Sequence, residues 1–215
     1  MVPFSFPGDP VRYVAPSLSE LDALGFRLAR QVLASGIPLE RTVVISNGAL
    51  PYALAFHNHV GNRGKIITIG MSYYDFDQVR ARAEVVQELS EDIRGTHVFL
   101  LDEVVDRGGT MPAARDHILA AGAASVQTGA LIYKRRSLFR PDFVGAEIED
   151  EWVVFPHDVR PAVEHLGARW LAAGASAAEA RERFRQLFAA SPHVDEQVDC
   201  YLAAFAPQVE AAAPA

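Results

Sequence analysis

The sequence has 215 residues, of which 50% are hydrophobic and 22% charged, so it is long and apolar enough to bury a domain core, which excludes an intrinsically disordered chain. Its formal net charge of −7 repels polyanions and argues against nucleic acid as a partner. The lone Cys200 excludes an internal disulfide. The sequence shows no signal-like N-terminus and no apolar stretch of the ~20 residues that cross a bilayer. We therefore expect a cytoplasmic protein without membrane contact.

The first third of the sequence predicts an arm, a helix and a strand–helix unit. The prolines and Gly8 within residues 1–16 oppose helix formation and favour an arm that lies on another part of the molecule. Ser17 and Glu20 have the spacing of a capping box, and apolar residues at helical spacing then continue to Gly36. We therefore expect a helix over 17–36, followed by a strand (42–46), a turn (47–51), a helix (52–60) and a second strand (65–70).

The rest of the sequence alternates strands with helices and then becomes helical throughout. A weaker polar segment (78–90) precedes a strand (97–101), a helix (111–121) and two more strand candidates (125–133 and 152–155). Beyond about residue 160 the Ala-rich sequence predicts two or three helices. Apolar runs that alternate with amphipathic stretches are typical of an α/β domain, so we expect a mostly parallel twisted sheet flanked by helices.

The strongest chemical signal is the run from Val98 to Thr110, in which a buried strand leads into acids and then into a glycine loop that opens a helix. Ligands of open α/β sheets bind beyond the carboxyl ends of the strands, where these acids and this loop are expected to lie. The loop can present backbone N–H groups to a phosphate, and the adjacent acids can bind ribose hydroxyls or a hydrated Mg²⁺. The pattern therefore favours a sugar phosphate, although an ordinary turn with solvated acids is the alternative.

The same run resembles the diphosphoribose motif of type I phosphoribosyltransferases, which has four apolar residues, two acids, two apolar residues and then Asp-Thr-Gly-x-Thr. The resemblance implies that Asp102 and Glu103 bind ribose and Mg²⁺ and that Asp106 is the catalytic base toward a purine. It also implies a phosphate loop formed by Arg107, Gly108, Gly109 and Thr110. Arg107 stands where the family usually has Thr; its guanidinium can either bind the phosphate or remain solvated on a loop that uses backbone donors.

A second loop, Ser46 to Ala53, is similar to the pyrophosphate loop of the family, which is often Arg-Gly-Gly-x-x-Pro. The resemblance assigns Asn47 and Gly48 to pyrophosphate binding. Asn47 and Ala49 replace the Arg and the second Gly, so backbone contacts remain available but the cation is missing. Taken alone, the loop is better explained as a plain turn between a strand and a helix, and its place one strand–helix unit before the main motif is what favours the pyrophosphate assignment.

A third set of residues resembles the base site of hypoxanthine-guanine and xanthine phosphoribosyltransferases. Lys134, at the end of a buried strand, can donate to the 6-oxo group of a purine, and Trp152 can stack on its face. The backbone of Val153 can then contact the purine edge. A solvated Lys134 within a basic cluster and a plain core role for Trp152 are the alternatives.

Weaker likenesses concern a lid and a second metal ligand. Ser72 and Tyr73 resemble the Ser-Tyr pair of the mobile loop that closes over the active site in this family, and a lid would exclude water from an oxocarbenium-like centre. A surface loop with exposed tyrosines is the other interpretation. Asp158 falls where related enzymes have an acid that helps to bind a second Mg²⁺.

Together the resemblance implies the type I phosphoribosyltransferase fold with a small hood, over residues 1–160, and a helical C-terminal extension (161–215) that packs on the same domain or on a dimer partner. We expect a Mg²⁺-dependent enzyme that transfers the phosphoribosyl group of phosphoribosyl diphosphate (PRPP) to a 6-oxopurine and releases pyrophosphate. A homodimer or homotetramer is expected, as is usual in the family. The alternative is a non-catalytic or regulatory protein that binds PRPP or a nucleotide. The departure from the family motif at Asn47 and Arg107 is the reason for considering it.

Overall fold

A computed structural model describes residues 1–75 and 78–212, without the side chains of residues 73–82 and from 205 onward. The chain divides into two compact units. Residues 21–150 form the first, here called the sheet unit. Residues 1–20 and 151–215 form the second, here called the terminal unit. The domain boundary near residue 160 that we drew from the sequence stays a prediction.

The elements of the described residues follow in chain order. They are β1 (Phe4–Ser5), β2 (Arg12–Val14), α1 (Leu18–Ser35), β3 (Arg41–Ser46), α2 (Leu50–His59), β4 (Lys65–Asp75), β5 (Gln78–Gln87), β6 (His97–Val105), α3 (Thr110–Ala120), β7 (Ser125–Lys134), β8 (Phe143–Ile148), β9 (Trp152–Val153), α4 (Val159–Ala162), a π-helical segment (Val163–Gly167), α5 (Ala168–Ala172), α6 (Ala177–Leu187) and α7 (Val194–Ala212).

Helix α1 begins and ends as its sequence predicts. The Glu20 backbone N–H donates to Ser17 Oγ over 3.2 Å, and the Ser17 N–H donates to the Glu20 carboxylate over 2.8 Å, which is the reciprocal pattern of a capping box. Gly36 follows the last turn with φ +69°, a conformation that glycine adopts without steric cost. The prediction of a helix over 17–36 is thereby confirmed.

The sheet unit is built on a sheet whose strands, in the part of the chain that the structure describes, run in the order β5-β4-β3-β6-β7-β8. Every neighbouring pair is parallel except β4 and β5. The central strand β6 is buried from Val98 to Leu101, as expected of a strand covered on both faces. The prediction of a mostly parallel sheet flanked by helices is confirmed.

The order of the strands also locates a binding crevice. From β3 the chain passes through α2 to β4 on one side, whereas from β6 it passes through α3 to β7 on the other side. The direction of winding therefore reverses between the neighbouring strands β3 and β6. Ligands of open α/β sheets bind beyond the carboxyl ends of the strands at such a point.

Two strands of this sheet were not assigned from the sequence. The polar segment at 78–90 contains β5, an antiparallel edge strand, and the stretch after Lys134 contains β8 at the other edge. Edge strands pair on one side only and tolerate polar residues. Their sequences therefore lack the continuous apolar run that identified the inner strands.

The terminal unit combines the N-terminal arm with β9 and the C-terminal helices. Strand β1 pairs with β2, and β2 pairs in parallel with β9, so that Tyr13 lies opposite Trp152 and Val14 opposite Val153. The arm thus lies on another part of the chain, as expected. The core of this unit consists of aromatic and aliphatic side chains from the arm and the helices, among them Phe6, Tyr13, Leu166, Trp170, Phe184 and Val198. None of the helices in the described residues is long and apolar enough to span a membrane.

Candidate active site

The loops after β3 and β6 meet at the crevice of the sheet unit. Gly48 lies directly against the side chain of Glu103, because a Cβ added to Gly48 would stand 2.5 Å from Glu103 Cδ. The peptide bond between Ser46 and Asn47, which enters this loop, is cis. The structure therefore brings together the loop assigned to pyrophosphate and one of the acids assigned to ribose and Mg²⁺.

Asp102 is the more deeply buried of the two adjacent acids, with 6% of its surface exposed. Its carboxylate accepts a hydrogen bond from the Glu103 N–H over 3.0 Å. Burial raises the pKa of Asp102 to about 6, although the hydrogen bonds from Glu103 oppose the rise. A ligand that supplies a positive charge or hydroxyl donors would stabilise the ionised carboxylate, and this would favour binding at this point.

Asp106 and Lys134 are in direct contact. The sequence assigned Asp106 as the catalytic base and Lys134 as a purine-binding residue. Lys134 Nζ donates to Asp106 Oδ2 over 2.9 Å, and only 6% of the lysine side chain is exposed. The contact follows from the register of β6 and β7, in which Val105 lies opposite Tyr133, so that both strands end at the same level. Both groups therefore lie at the carboxyl edge of the sheet.

Arg136 is a second partner of Asp106 and was not singled out from the sequence. Its guanidinium donates to Asp106 Oδ1 over 2.6 and 3.2 Å and also pairs with Asp150. Burial raises the pKa of Asp106, but the hydrogen bonds and charges of Lys134 and Arg136 outweigh it and hold the pKa below its ordinary value. The carboxylate is thus ionised at neutral pH. The Lys-Arg-Arg run was visible in the sequence, but nothing local indicated which acid it would meet.

The phosphate loop is shaped by the segment that follows β7. Gly108 has φ +84°, and a Cβ there would lie 2.5 Å from Ser137 Oγ and 2.6 Å from the Phe139 nitrogen. The Leu138 N–H donates to the Arg107 carbonyl over 3.2 Å. Only glycine fits this close approach in this conformation. Residues 137–139 are therefore structural parts of the loop that sequence reasoning missed.

Helix α3 begins directly after this loop, at Thr110, with Gly109 as its N-cap. Glycine has no side chain that could accept from the first-turn N–H groups, and N–H groups of this kind bind phosphate. Arg107 and Asn47 are both exposed, and within the described residues the Arg107 side chain makes no hydrogen bond or ion pair. Both interpretations of Arg107, a phosphate ligand or a solvated side chain, therefore stay open.

Three of the assigned residues belong to the terminal unit. Trp152 is 39% exposed in β9, and Val153 beside it is buried. Asp158 precedes α4, and its carboxylate lies 3.4 Å from His157 Nε2. Burial raises the pKa of Asp158, against the effect of His157. Its assignment to a second Mg²⁺ stays a prediction.

The lid residues lie at the end of β4. Ser72 is partly exposed and pairs with Glu84 of β5, whereas the side chain of Tyr73 lies outside the described residues. The lid therefore stays a prediction. Among the residues that the structure describes, no three His, Cys, Asp or Glu side chains are grouped so that they could hold a metal ion by themselves.

Comparison with known proteins places this geometry in context. The family model described as the phosphoribosyl transferase domain matches residues 18–164. A hypoxanthine-guanine phosphoribosyltransferase of Aquifex aeolicus is 34% identical over 74 residues, which are 33% of this chain and 42% of that protein. A hypoxanthine-guanine phosphoribosyltransferase of Streptococcus pneumoniae is 25% identical over 114 residues, 53% of this chain and 60% of its own length. The chain thus spans about half the length of the curated relatives that it matches.

Solved structures share the fold. A hypothetical protein from Neisseria gonorrhoeae with bound ppGpp superposes with a TM-score of 0.60 at 23% identity, covering 68% of this chain and 89% of its own. A purine phosphoribosyltransferase from Pyrococcus horikoshii superposes with a TM-score of 0.58 at 20% identity, covering 67% of this chain and 92% of its own. At these identities the likeness concerns the fold alone.

Proposed function

Because the chain belongs to the phosphoribosyl transferase family, we propose that it transfers the 5-phosphoribosyl group of PRPP to a 6-oxopurine. The products are a nucleoside monophosphate and pyrophosphate. The curated relatives that match the chain are named for hypoxanthine and guanine, which are both 6-oxopurines. Their names support the substrate class, whereas the preferred base within it is a matter for experiment.

The observation that carries this proposal is the contact between Lys134 and Asp106, 2.9 Å apart at the edge of the sheet. An ammonium donates hydrogen bonds and an ionised carboxylate accepts them. The N7–H tautomer of a 6-oxopurine offers the oxygen on C6 as an acceptor and the N7–H as a donor on the same edge, so one base can satisfy both side chains. Adenine presents an amino donor at position 6, which a lysine does not bind. The pair therefore favours 6-oxopurines over adenine.

The remaining residues of the site suit the other half of the reaction. The loop at Gly108 and the N-terminus of α3 would hold the 5′-phosphate, and the loop at Gly48 would hold the pyrophosphate. Carboxylates near the ribose would stabilise the positive charge that develops at its C1 atom as the bond to pyrophosphate breaks. Asp106 would take the proton from N7 of the purine as N9 bonds to C1 and the bond from C1 to pyrophosphate breaks.

The two acids at the end of β6 are suited to bind Mg²⁺ together with oxygens of the substrate. Magnesium is bound in many enzymes by one or two carboxylates together with substrate oxygens, rather than by a complete protein cage. Asp102 and Glu103 supply such a partial donor set, and the burial of Asp102 makes a nearby cation favourable. Mg²⁺ held by these residues and by PRPP would neutralise the charge of the departing pyrophosphate.

A second candidate function is binding of PRPP or a nucleotide without catalysis. The exposed Asn47 and Arg107 favour it, because they replace residues with which the family handles phosphate groups. The Neisseria gonorrhoeae protein of similar fold, which holds ppGpp, offers a parallel for nucleotide binding on this scaffold. The two candidates differ in one observable, the turnover of a base.

The deciding experiment combines PRPP and Mg²⁺ with hypoxanthine, guanine, xanthine or adenine, and measures nucleoside monophosphate formation. Calorimetric titration of PRPP runs beside it, and Asp106→Asn is the matched control. Turnover of at least one 6-oxopurine that falls sharply in the variant supports the transferase. PRPP binding without turnover of any base would support the binding protein instead. Absence of both would overturn the two candidates together.

A further inference from the structure

Trp152, the side chain proposed to stack on the purine, is contacted by two residues of the C-terminal extension. The ring of His165 lies 5.4 Å from the indole, centroid to centroid, at an interplanar angle of 37°. The guanidinium carbon of Arg169 lies 5.7 Å from the same indole centroid. That separation is within the range in which a cation is attracted to the ring face. With 39% of its surface exposed, Trp152 depends on such contacts to fix its ring.

Arg169 is itself held in place by a buried acid of the N-terminal arm. Its Nη2 donates to both oxygens of Asp9, over 2.9 and 3.2 Å, and only 2% of the Asp9 side chain is exposed. Arg169 also contacts the Tyr13 hydroxyl, and its guanidinium carbon lies 5.9 Å from the Tyr13 ring centroid. A planar guanidinium held by a carboxylate in this way has little freedom to rotate.

Asp9 in turn accepts hydrogen bonds from three further groups. Tyr13 Oη and Trp170 Nε1 both donate over 2.6 Å, and the Val11 N–H donates over 3.0 Å. Asp9 thus joins the arm to the helix that carries Arg169 and Trp170. A fully hydrogen-bonded buried carboxylate of this kind fixes the residues around it in one arrangement.

We propose that Arg169, held by Asp9, is a positioning residue that orients Trp152 for stacking on the purine. The C-terminal extension, which the family model covers only to residue 164, would thereby help to set the affinity for the base. The inference rests on the proposed function for the identity of the stacked ligand. The orientation of Trp152 by Arg169 is a separate matter that can be measured without any ligand.

The first test uses the unliganded full-length protein labelled with 5-fluorotryptophan. The sequence has two tryptophans, so ¹⁹F NMR gives two resonances, which Trp152→Phe assigns. Arg183→Met is the matched control, since its guanidinium lies 5.2 Å from Trp170 rather than against Trp152. We expect Arg169→Met to shift and broaden the Trp152 resonance, and Arg183→Met to leave that resonance in place. A Trp152 resonance that is unchanged in Arg169→Met would overturn the proposal.

The second test is kinetic and separates the purine from PRPP. Arg169→Met should raise the KM for the purine about 10-fold, which corresponds to about 1.4 kcal/mol and lies within the range of a partly desolvated cation–π contact. The KM for PRPP and kcat should stay within about two-fold of wild type, because stacking on the base contributes equally to the ground state and to the transition state. Arg169→Lys, which keeps the charge, should recover part of the affinity.

Each outcome decides a different point. Equal changes in both KM values, or the same change in Arg183→Met, would show that Arg169 has only a general structural role. If the wild-type protein turns over no base, the proposed function fails. In that case the ¹⁹F resonance of Trp152 alone decides whether Arg169 positions the indole.

Discussion

Gly48 and Glu103 lie in such close contact that a Cβ at residue 48 would overlap the Glu103 side chain: it would stand 2.5 Å from Glu103 Cδ and still closer to one of its two carboxylate oxygens. The two residues come from the ends of neighbouring parallel strands, 55 positions apart in the sequence. Glycine at position 48 therefore allows the two loops to approach each other closely.

Gly48→Ala should accordingly impair the site rather than the fold. The new methyl group must displace the Glu103 carboxylate, and small displacements of catalytic geometry cost up to about 100-fold in rate. We expect kcat/KM for PRPP to fall by about 10- to 100-fold, with a loss of about 1 kcal/mol or less in the free energy of unfolding. Steady-state kinetics and urea unfolding measure the two effects.

Gly25→Ala provides the control for Gly48→Ala. A Cβ at Gly25 would meet its nearest neighbours at 3.9 Å, an ordinary contact, within helix α1. This variant should keep wild-type kinetics. An unaltered kcat/KM in Gly48→Ala would mean that the position of Glu103 does not matter for PRPP.

Asp106→Asn should reduce turnover by about 10²- to 10⁴-fold, the usual contribution of a general base. It should also lower the free energy of unfolding by about 2 kcal/mol, because the buried Lys134 loses its charged partner. Asp116→Asn is the matched control, since Asp116 pairs with Arg115 on the surface. Turnover that survives in Asp106→Asn would remove Asp106 from the mechanism.

Lys134→Met should weaken purine binding selectively. Lys134 and Arg136 both contact Asp106, but only Lys134 is placed at the end of a buried strand where it can donate to a 6-oxo group. We expect the KM for the purine to rise by about 10-fold or more, the value of one hydrogen bond to a charged group. Arg136→Met should leave that KM near wild type. Equal effects of the two variants on the purine KM would contradict the assignment of Lys134.

Much of the sheet unit could be predicted from sequence because its signals are local. The capping box at Ser17 and Glu20, the buried run before Asp102 and the glycine loop after Asp106 each occupy a few consecutive residues. Their periodicity or spacing is set by the geometry of a single element. The acids and the glycine loop could be assigned to a diphosphoribose site because this run of residues resembles the motif of the family.

Contacts between distant segments could not be predicted in this way. Asp106 and Lys134 were each identified, but their pairing depends on the register of two parallel strands. Asp9 and Arg169 lie 160 positions apart, and neither has a local pattern that points to the other. Short strands such as β1 and β2 take their structure from the partner on which they lie, since two or three residues carry no periodicity.

The buried Asp9 predicts a particular dependence of stability on pH. Burial raises the pKa of Asp9, but hydrogen bonds from Tyr13, Val11 and Trp170 and the charge of Arg169 outweigh it, so the pKa lies below its ordinary value of 3.8. A carboxyl whose pKa is lowered by folding stabilises the protein above its unfolded pKa, and this contribution is lost as the pH falls through the folded value. Asp9 should therefore stabilise the protein at neutral pH and cease to do so in acid.

Asp9→Asn removes this contribution and tests its sign. The amide has one acceptor oxygen where the carboxylate has two, so part of the donor set around it loses its partner. We expect a loss of about 2 kcal/mol in the free energy of unfolding near neutral pH, measured by urea titration. The difference from wild type should shrink below about pH 4, where the Asp9 carboxyl of the unfolded chain begins to protonate, and should be lost as the pH falls through the lowered pKa of the folded protein. Asp199→Asn, which breaks an exposed pair with Arg181 in the same unit, should cost less than about 1 kcal/mol. A difference for Asp9→Asn that stays constant from neutral to acid pH would show that the charge of Asp9 does not contribute, because protonation of the wild-type carboxylate would then cost no stability.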